Sequence, residues 1–141
     1  MTPRLRLLGL LLTTRLWVGA LLAWAVLLYL LSSAPLPQTE GPELPFSDKI
    51  AHFLYFAGGG TGLLLALAAG GYPVSRSRAL FLCALLGAAV GWLDEWHQSF
   101  TPGRSGQDVG DWVADVLGAL AGGFLGRFLW PLFQRVVQRA A

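Results

Sequence analysis

The sequence predicts an all-α membrane protein, a bundle of four transmembrane helices. Of its 141 residues, 55% are apolar and only 13% are charged. An apolar run of about 18 residues can cross the hydrocarbon core of a bilayer, and four such segments occur, at about residues 16–31, 50–69, 79–98 and 109–130. Four spans occupy most of the chain, so we expect residues 1–141 to form a single membrane domain.

The first apolar segment follows an arginine-rich stretch, as the core of a secretory signal would. A signal core is about 7–15 residues long, whereas this run continues to Leu31. We therefore interpret it as a span, with cleavage after Ala34 as the alternative. Its one small-xxx-small pair, Gly19 and Ala23, predicts peripheral packing.

The second span follows a loop with four prolines and two glutamates, which favours an extended chain. Ser47 is the predicted N-cap of this helix, and Asp48 lies in its favourable first turn. The turn residues of 70–73, Gly-Gly-Tyr-Pro, predict its end.

The third loop contains a Thr-Pro-Gly turn at 101–103, and the spacing of Ser105 and Asp108 predicts a capping box that opens span four. Small residues at four-residue spacing let membrane helices approach closely. We therefore expect glycine-mediated packing of spans two to four through Gly58 and Gly62, Gly87 and Gly91, and Gly118, Gly122 and Gly126.

Basic residues predict the orientation. Eight of the ten Lys and Arg residues are Arg4, Arg6, Arg15, Arg76, Arg78, Arg127, Arg135 and Arg139. By the positive-inside rule, both termini and the middle loop are cytoplasmic. All eight acids and both histidines then lie in or beside the outer loops. Basic tails suit an anionic inner leaflet, so the net charge of +2 does not imply a nucleic-acid partner.

Charged and polar side chains enter the apolar sequence between Trp92 and Asp115. Ionisable groups at membrane depth are costly, so they usually face a protein interior and mark function. An α-helix turns by about 100° per residue. On this basis, spans two to four each have one face that carries glycines in its cytoplasmic half and polar residues in its outer half. Turned inward, these faces predict an acidic cavity that opens outward. Its candidate ligand-binding residues are Asp48, Lys49, His52, Tyr55, Glu95, Gln98, Arg104, Asp108, Asp111 and Asp115.

Buried carboxylates in this region need partners. Asp115 lies about seven residues inside span four, which is roughly 10 Å deep. Arg104 has a planar fork suited to carboxylate or phosphate, so we expect it either to bridge the acids or to bind an anionic ligand. Asp94 is expected to pair with His97, three residues later, and neither is included in the site.

Several candidates also have structural roles open to them. Asp48 suits a first helical turn, Lys49 is long enough to reach lipid headgroups, and Asp108 suits an N-cap. His52 and Tyr55 share a helix face with Asp48, so a hydrogen-bonded structural trio and a ligand site remain equal alternatives.

The order of these motifs resembles the VanZ-like family over about residues 46–126. The matching residues are Asp48-Lys49-x-x-His52-x-x-Tyr55, Glu95-x-x-Gln98 and Arg104-x-x-x-Asp108-x-x-Asp111, with Gly118 and Gly122 downstream. The resemblance implies a small bacterial membrane protein of the cytoplasmic membrane, whose founding relative is linked to resistance to the glycopeptide teicoplanin. The family pattern has Asn where this chain has Asp115.

This context favours a non-enzymatic envelope protein that binds or shields a lipid, a lipid-linked wall precursor or a lipophilic glycopeptide. The alternative is an intramembrane hydrolase or transferase with paired carboxylates, or with a His, Asp and Glu cluster around a metal. No HExxH or GxSxG motif supports it. We assign no cofactor and no metal ligand. A proton- or ion-coupled carrier is a third alternative, and a homo-oligomer is left open.

Overall fold

The computed structural model describes residues 9–35, 46–72 and 75–140. Over these residues the chain is helical and has no strand, which confirms the all-α class. Four helices are long and apolar enough to cross a membrane. They are α1 (Thr14–Ser33), α2 (Ser47–Ala69), α3 (Arg76–Gln98) and α4 (Val109–Ala140). Outside the described residues lie Arg4, Arg6, Glu40, Glu43, Pro73 and most of the proline-rich loop.

Helix α4 is the centre of the bundle. It packs along the whole of α2 and against α3, while α1 contacts mainly α2. The fully buried side chains include Phe56 of α2 and Cys83 of α3. In α1 only Ser32 is buried, so this helix lies at the periphery, as its single small-residue pair predicts.

Glycine allows α2 and α4 to approach each other at backbone distance. A Cβ atom on Gly118 would overlap the carbonyl group of Phe53, and one on Gly60 would overlap the carbonyl group of Ala119. Such contact is useful in lipid, where close packing rather than the hydrophobic effect holds helices together.

The α2 glycines predicted for this packing are not the ones that face α4. Gly58 faces open space, and Gly62 faces Leu21 of α1. Gly59 faces the indole of Trp24, also on α1. Three consecutive glycines point to three sides of a helix, so spacing alone did not identify Gly60 as the one that faces α4.

Two predicted helix starts are wrong in detail. The N-cap of α2 is Phe46, in a left-handed conformation with φ 61°, and Ser47 is already helical. Ser105 forms no capping box. Instead Asp108 caps α4 itself, since its Oδ1 accepts the backbone N–H of Gly110 at 2.6 Å.

Helix α4 is longer than the predicted span. It continues past Trp130 and through Pro131 to its end at Ala140. Its 32 residues extend over roughly 48 Å, against a hydrocarbon core of about 30 Å. Proline removes only one backbone donor, and the ring of Phe133 beyond it stacks on Trp17 of α1 at 5.8 Å, so packing stabilises the extension.

Candidate functional site

The polar candidates meet at one end of the bundle, where α1 and α3 end and α2 and α4 begin; we call it the polar end. It includes every candidate residue predicted from the sequence: Asp48, Lys49, His52, Tyr55, Glu95, Gln98, Arg104, Asp108, Asp111 and Asp115. Most of their partners come from another helix, so the cluster forms only when the bundle assembles.

Lys49 binds three carboxylates at once. Its Nζ donates to Asp48 Oδ2 at 2.9 Å, to Asp108 Oδ2 at 3.0 Å and to Asp111 Oδ1 at 3.1 Å. The alternative in which Lys49 extends to lipid headgroups is therefore not observed. The Lys49 ammonium, with help from the backbone N–H of Gly110, holds the pKa of Asp108 below its usual value. Lys49 thus joins the start of α2 to the start of α4.

His52 connects two carboxylates of α4. Its Nδ1 lies 2.9 Å from Asp115 Oδ1, and its Nε2 lies 4.0 Å from Asp111 Oδ2. Asp115 is completely buried, and its Oδ2 has no hydrogen-bond partner among the described residues. Space for this carboxylate depends on Gly91 of α3, because a Cβ atom there would lie 2.5 Å from Asp115 Oδ2.

Only one of the two carboxylate oxygens of Glu95, on α3, has a hydrogen-bond donor among the described residues. Glu95 is only 4% exposed, and its Oε2 accepts the backbone N–H of Asp108 at 2.7 Å. Its Oε1 has no partner within the described part of the chain. A buried carboxylate oxygen without a donor is costly, so this atom is an unusual feature of the site.

Asp94 also belongs to the polar end, although it is not among the predicted site residues. It is buried and accepts hydrogen bonds from Ser32 Oγ and from Gln98 Nε2, the latter at 2.8 Å. The predicted pairing with His97 is wrong, since the His97 ring stacks on Tyr29 at 4.8 Å. Asp94 could have been predicted as part of the polar end, because it lies on the same face of its helix as Glu95.

The contribution of Ser32 had no sequence signal, because one serine at a helix end is common. Its backbone oxygen also accepts a hydrogen bond from Thr101 Oγ1 at 2.9 Å. Through Ser32, the peripheral helix α1 is joined to both α3 and the loop that follows it.

Tyr55 joins α1 to α2. Its hydroxyl donates to the backbone oxygen of Trp24 at 2.7 Å, and Trp24 Nε1 donates to the backbone oxygen of Tyr55 at 3.0 Å. This reciprocal pair gives Tyr55 a structural role, and its ring also lines a cavity at the polar end.

Arg104 bridges none of the acids that the structure describes. Within the described residues its one side-chain hydrogen bond is a long one of 3.4 Å from Nη2 to the backbone oxygen of Leu31, and no carboxylate lies within ion-pair distance. Its Nε is buried and has no partner among these residues. Of the two predicted roles, bridging of the acids is therefore not observed in the described part of the chain, where several guanidinium donors have no partner.

Two cavities open at the polar end. The first, of about 220 Å³, lies between α1, α2 and α3 and is lined by polar residues, among them Arg104, Asp48 and His52, and by the apolar residues Leu28 and Leu31; we call it the Arg104 cavity. The second, of about 400 Å³, lies between α3 and the start of α4 and is lined by Glu95, Asp108 and Trp112 among others; we call it the Glu95 cavity.

One group of side chains at the polar end has the composition of a metal site. His52, Glu95 and Asp111 each offer one ligand atom, and these atoms lie within 4.8 Å of one another. A second group, Asp48, Asp108 and Asp111, is equally close together but surrounds the Lys49 ammonium. No metal ligand was assigned from the sequence, because the spacing along the chain matches no familiar motif.

Four apolar helices with a polar cluster between them at one end define the class of multi-pass membrane proteins. A family model described as VanZ/LLP1 matches residues 17–133, and the chain belongs to this family. The match confirms the resemblance to the VanZ-like family and extends it to include α1. No curated protein and no solved structure matches the chain.

Proposed function

We propose that this protein binds an amphipathic ligand with an anionic group in the Arg104 cavity, at the outer face of the bacterial cytoplasmic membrane. A membrane lipid, a lipid-linked wall precursor and a lipophilic glycopeptide share this chemistry. In the last case, holding or shielding the drug would contribute to glycopeptide resistance. The observation that carries the proposal is a half-buried arginine, in a cavity that apolar side chains also line, whose guanidinium has donors without a partner among the described residues.

The guanidinium of Arg104 has the donors to bind an anion. An arginine carries five N–H donors in a planar fork that matches carboxylate or phosphate in bidentate geometry. Here one long bond to the Leu31 carbonyl uses a single donor, and the buried Nε is unpartnered among the described residues. An anionic group in the cavity would satisfy Nε and a terminal nitrogen together.

The apolar lining of the Arg104 cavity suits an alkyl chain. Leu28 and Leu31 of α1 line it, and Leu31 is also half exposed on the outer surface of the bundle. Sites for drug-sized ligands are usually about 300–1,000 Å³, and this cavity, at about 220 Å³, is smaller. It therefore fits a headgroup and the start of a chain, with the remainder of the chain in the lipid.

Charge supports the outward orientation. Arg76 and Arg78 lie at the start of α3, and Arg135 and Arg139 lie near the end of α4, so all four are at the end of the bundle opposite the polar end. By the positive-inside rule this basic end is cytoplasmic. A reporter protein that is active only in the cytoplasm should therefore be active when it is fused after Ala141.

Mass spectrometry of co-purifying lipids tests the ligand proposal. Wild-type protein extracted in a mild detergent should enrich one anionic lipid class relative to the bulk membrane. Arg104→Ala should lose this enrichment, and Arg104→Lys should retain only part of it, because lysine keeps the charge but not the fork. Arg78→Ala removes an exposed arginine at the opposite end of the bundle and should behave as wild type.

Two results would contradict the ligand proposal. One is the absence of any enriched lipid in the wild-type protein. The other is equal enrichment in the wild-type and Arg104→Ala proteins. A lipoglycopeptide that displaces the enriched lipid from wild type, and that binds Arg104→Ala more weakly than wild type, would assign the drug to the same cavity.

A second candidate function is an intramembrane hydrolase or transferase that acts on a lipid-linked substrate. The observation that favours it is the pair Glu95 and Asp115, two buried carboxylates that each retain an oxygen without a partner in the described part of the chain, with His52 bonded to Asp115. Carboxylates in different environments can act as acid and base. Turnover of a lipid-linked precursor by wild type, abolished by Glu95→Gln, would replace the binding-only proposal.

A further inference from the structure

We propose that His52, Glu95 and Asp111 bind a divalent transition-metal ion such as Zn²⁺ or Mn²⁺. The three come from α2, α3 and α4, and their ligand atoms lie within 4.8 Å of one another. Ligands about 2.0–2.1 Å from a tetrahedral zinc are roughly 3.4 Å apart. Binding would therefore draw the side chains together, which small side-chain rotations can accomplish. The proposal does not depend on lipid binding.

His52 is oriented as a metal ligand. Metal-binding histidines commonly donate one ring N–H to a carboxylate, which fixes the tautomer and leaves the other nitrogen free to ligate. Here Nδ1 lies 2.9 Å from Asp115 Oδ1. With the proton on Nδ1, the lone pair of Nε2 is directed toward the Asp111 side, where the nearest carboxylate oxygen is 4.0 Å away. Asp115 is thus a positioning residue for His52.

Glu95 supplies the independent observation for a ligand. Its carboxylate is almost fully buried, and Oε1 has no hydrogen-bond donor among the residues that the structure describes. Native proteins rarely leave such an atom unsatisfied, and a bound ion or water molecule often supplies the missing partner. Oε2 is held by the backbone N–H of Asp108, so the group is already oriented with Oε1 available.

Asp111 divides its two oxygens between different partners. Oδ1 accepts from Lys49 at 3.1 Å, whereas Oδ2 is the oxygen nearest to His52 Nε2. A carboxylate used in this way can bind a metal through Oδ2 without losing its hydrogen bond to the ammonium group.

The charge at the polar end also favours a cation. Six carboxylates lie there with only two permanent cations in the described residues. Lys49 neutralises part of the group at Asp48, Asp108 and Asp111, and Arg104 pairs with no acid in the described part of the chain. A divalent ion next to Glu95 and Asp111 would offset the remaining negative charge, which is expensive to keep at membrane depth.

The ligand types indicate the class of metal. One imidazole and two carboxylates suit Zn²⁺, a borderline ion, or Mn²⁺, which favours carboxylates, better than Ca²⁺, which takes six to eight oxygens. Three protein ligands leave a coordination position open, as in catalytic zinc sites. His52 lines the Arg104 cavity and Glu95 lines the Glu95 cavity, so water or an anionic group can approach from either side.

The second acidic group is a weaker candidate. Its members, Asp48, Asp108 and Asp111, already share the Lys49 ammonium at 2.9–3.1 Å. A metal ion there would have to displace a lysine that satisfies the same oxygens. The two groups can be separated experimentally, because Asp48 belongs only to the second and Glu95 only to the first.

Metal analysis of protein purified without a polyhistidine tag tests the proposal. After equilibration with Zn²⁺ or Mn²⁺ and removal of excess ion, wild type should retain about one ion per chain. Glu95→Gln, Asp111→Asn and His52→Gln should lose it, and Asp115→Asn should bind roughly 10–100-fold more weakly. His97→Gln, a histidine outside the site, is the matched control and should bind as wild type. Asp48→Asn changes only the second acidic group, so its comparison with Glu95→Gln tells which group holds the ion.

X-ray absorption spectroscopy of zinc-loaded wild type identifies the zinc ligands directly. It therefore tests the proposal even if a variant fails to fold. One imidazole nitrogen with oxygen ligands is expected in the zinc coordination shell. The proposal is overturned if wild type retains no ion, if Glu95→Gln retains as much as wild type, or if the shell lacks imidazole. Loss on Asp48→Asn with retention on Glu95→Gln would also overturn it. Lipid enrichment is a separate measurement, so either proposal can fail alone.

Discussion

Two neighbouring glycines of α2 make the packing of the bundle testable with the same substitution. An added Cβ on Gly60 would overlap the backbone carbonyl of Ala119, whereas an added Cβ on Gly58 would have no heavy atom within 4 Å. Gly60→Ala and Gly58→Ala therefore differ in one respect: only the Cβ added at position 60 would meet α4. Both replace glycine by alanine near the middle of one helix, so the change in helix propensity is nearly the same.

The expected change in the free energy of unfolding depends on the group that the added Cβ atom would meet. Overpacking a close contact usually costs about 1–3 kcal/mol, and a backbone carbonyl cannot rotate away as a flexible side chain does. Gly60→Ala should therefore destabilise the bundle by about 2 kcal/mol, a factor of roughly 30 in the unfolding equilibrium. Gly58→Ala should be neutral or slightly stabilising, because alanine is the better helix former by up to about 1 kcal/mol.

Reversible unfolding of the purified protein in mixed micelles, followed by helical circular dichroism, provides the measurement. Gly118→Ala, which would place a Cβ against the Phe53 carbonyl, should resemble Gly60→Ala. Equal stability of the Gly58→Ala and Gly60→Ala proteins would refute the proposed contact between α2 and α4.

Two further predictions concern the polar end. The folded protein holds the pKa of Asp108 below its usual value through Lys49. This interaction therefore stabilises the fold above pH about 4, and its contribution is lost as the pH falls through the lowered pKa. Lys49→Met should weaken that pH dependence of stability; an unchanged profile would contradict the pairing. Separately, Ser32→Ala removes the hydrogen bond to Asp94 and should increase hydrogen exchange at the end of α1 without changing exchange in α4.

The sequence was most informative where the physical requirement is local. Crossing a bilayer needs a long apolar run, and this constraint alone located all four helices. The polar candidates were also recognised, because charges such as Asp111 inside an apolar segment need a physical reason to be there. Local signals were weaker at the helix ends, where the start of α2 at Ser47 and the passage of α4 through Pro131 depend on neighbouring packing.

Partners, in contrast, were decided only by the tertiary structure. Helical phase shows which residues share a face but not the rotation and depth at which two helices meet. For that reason Asp94 was paired with His97 rather than with Ser32, and bridging of the acids was one of two roles expected of Arg104, whereas Lys49 binds them. The assembly of His52, Glu95 and Asp111 from three different helices has the same origin. Sequence alone determined a membrane bundle with polar residues at one end. Only packing determined which of those residues have hydrogen-bond partners in the described part of the chain, because partners come from different helices.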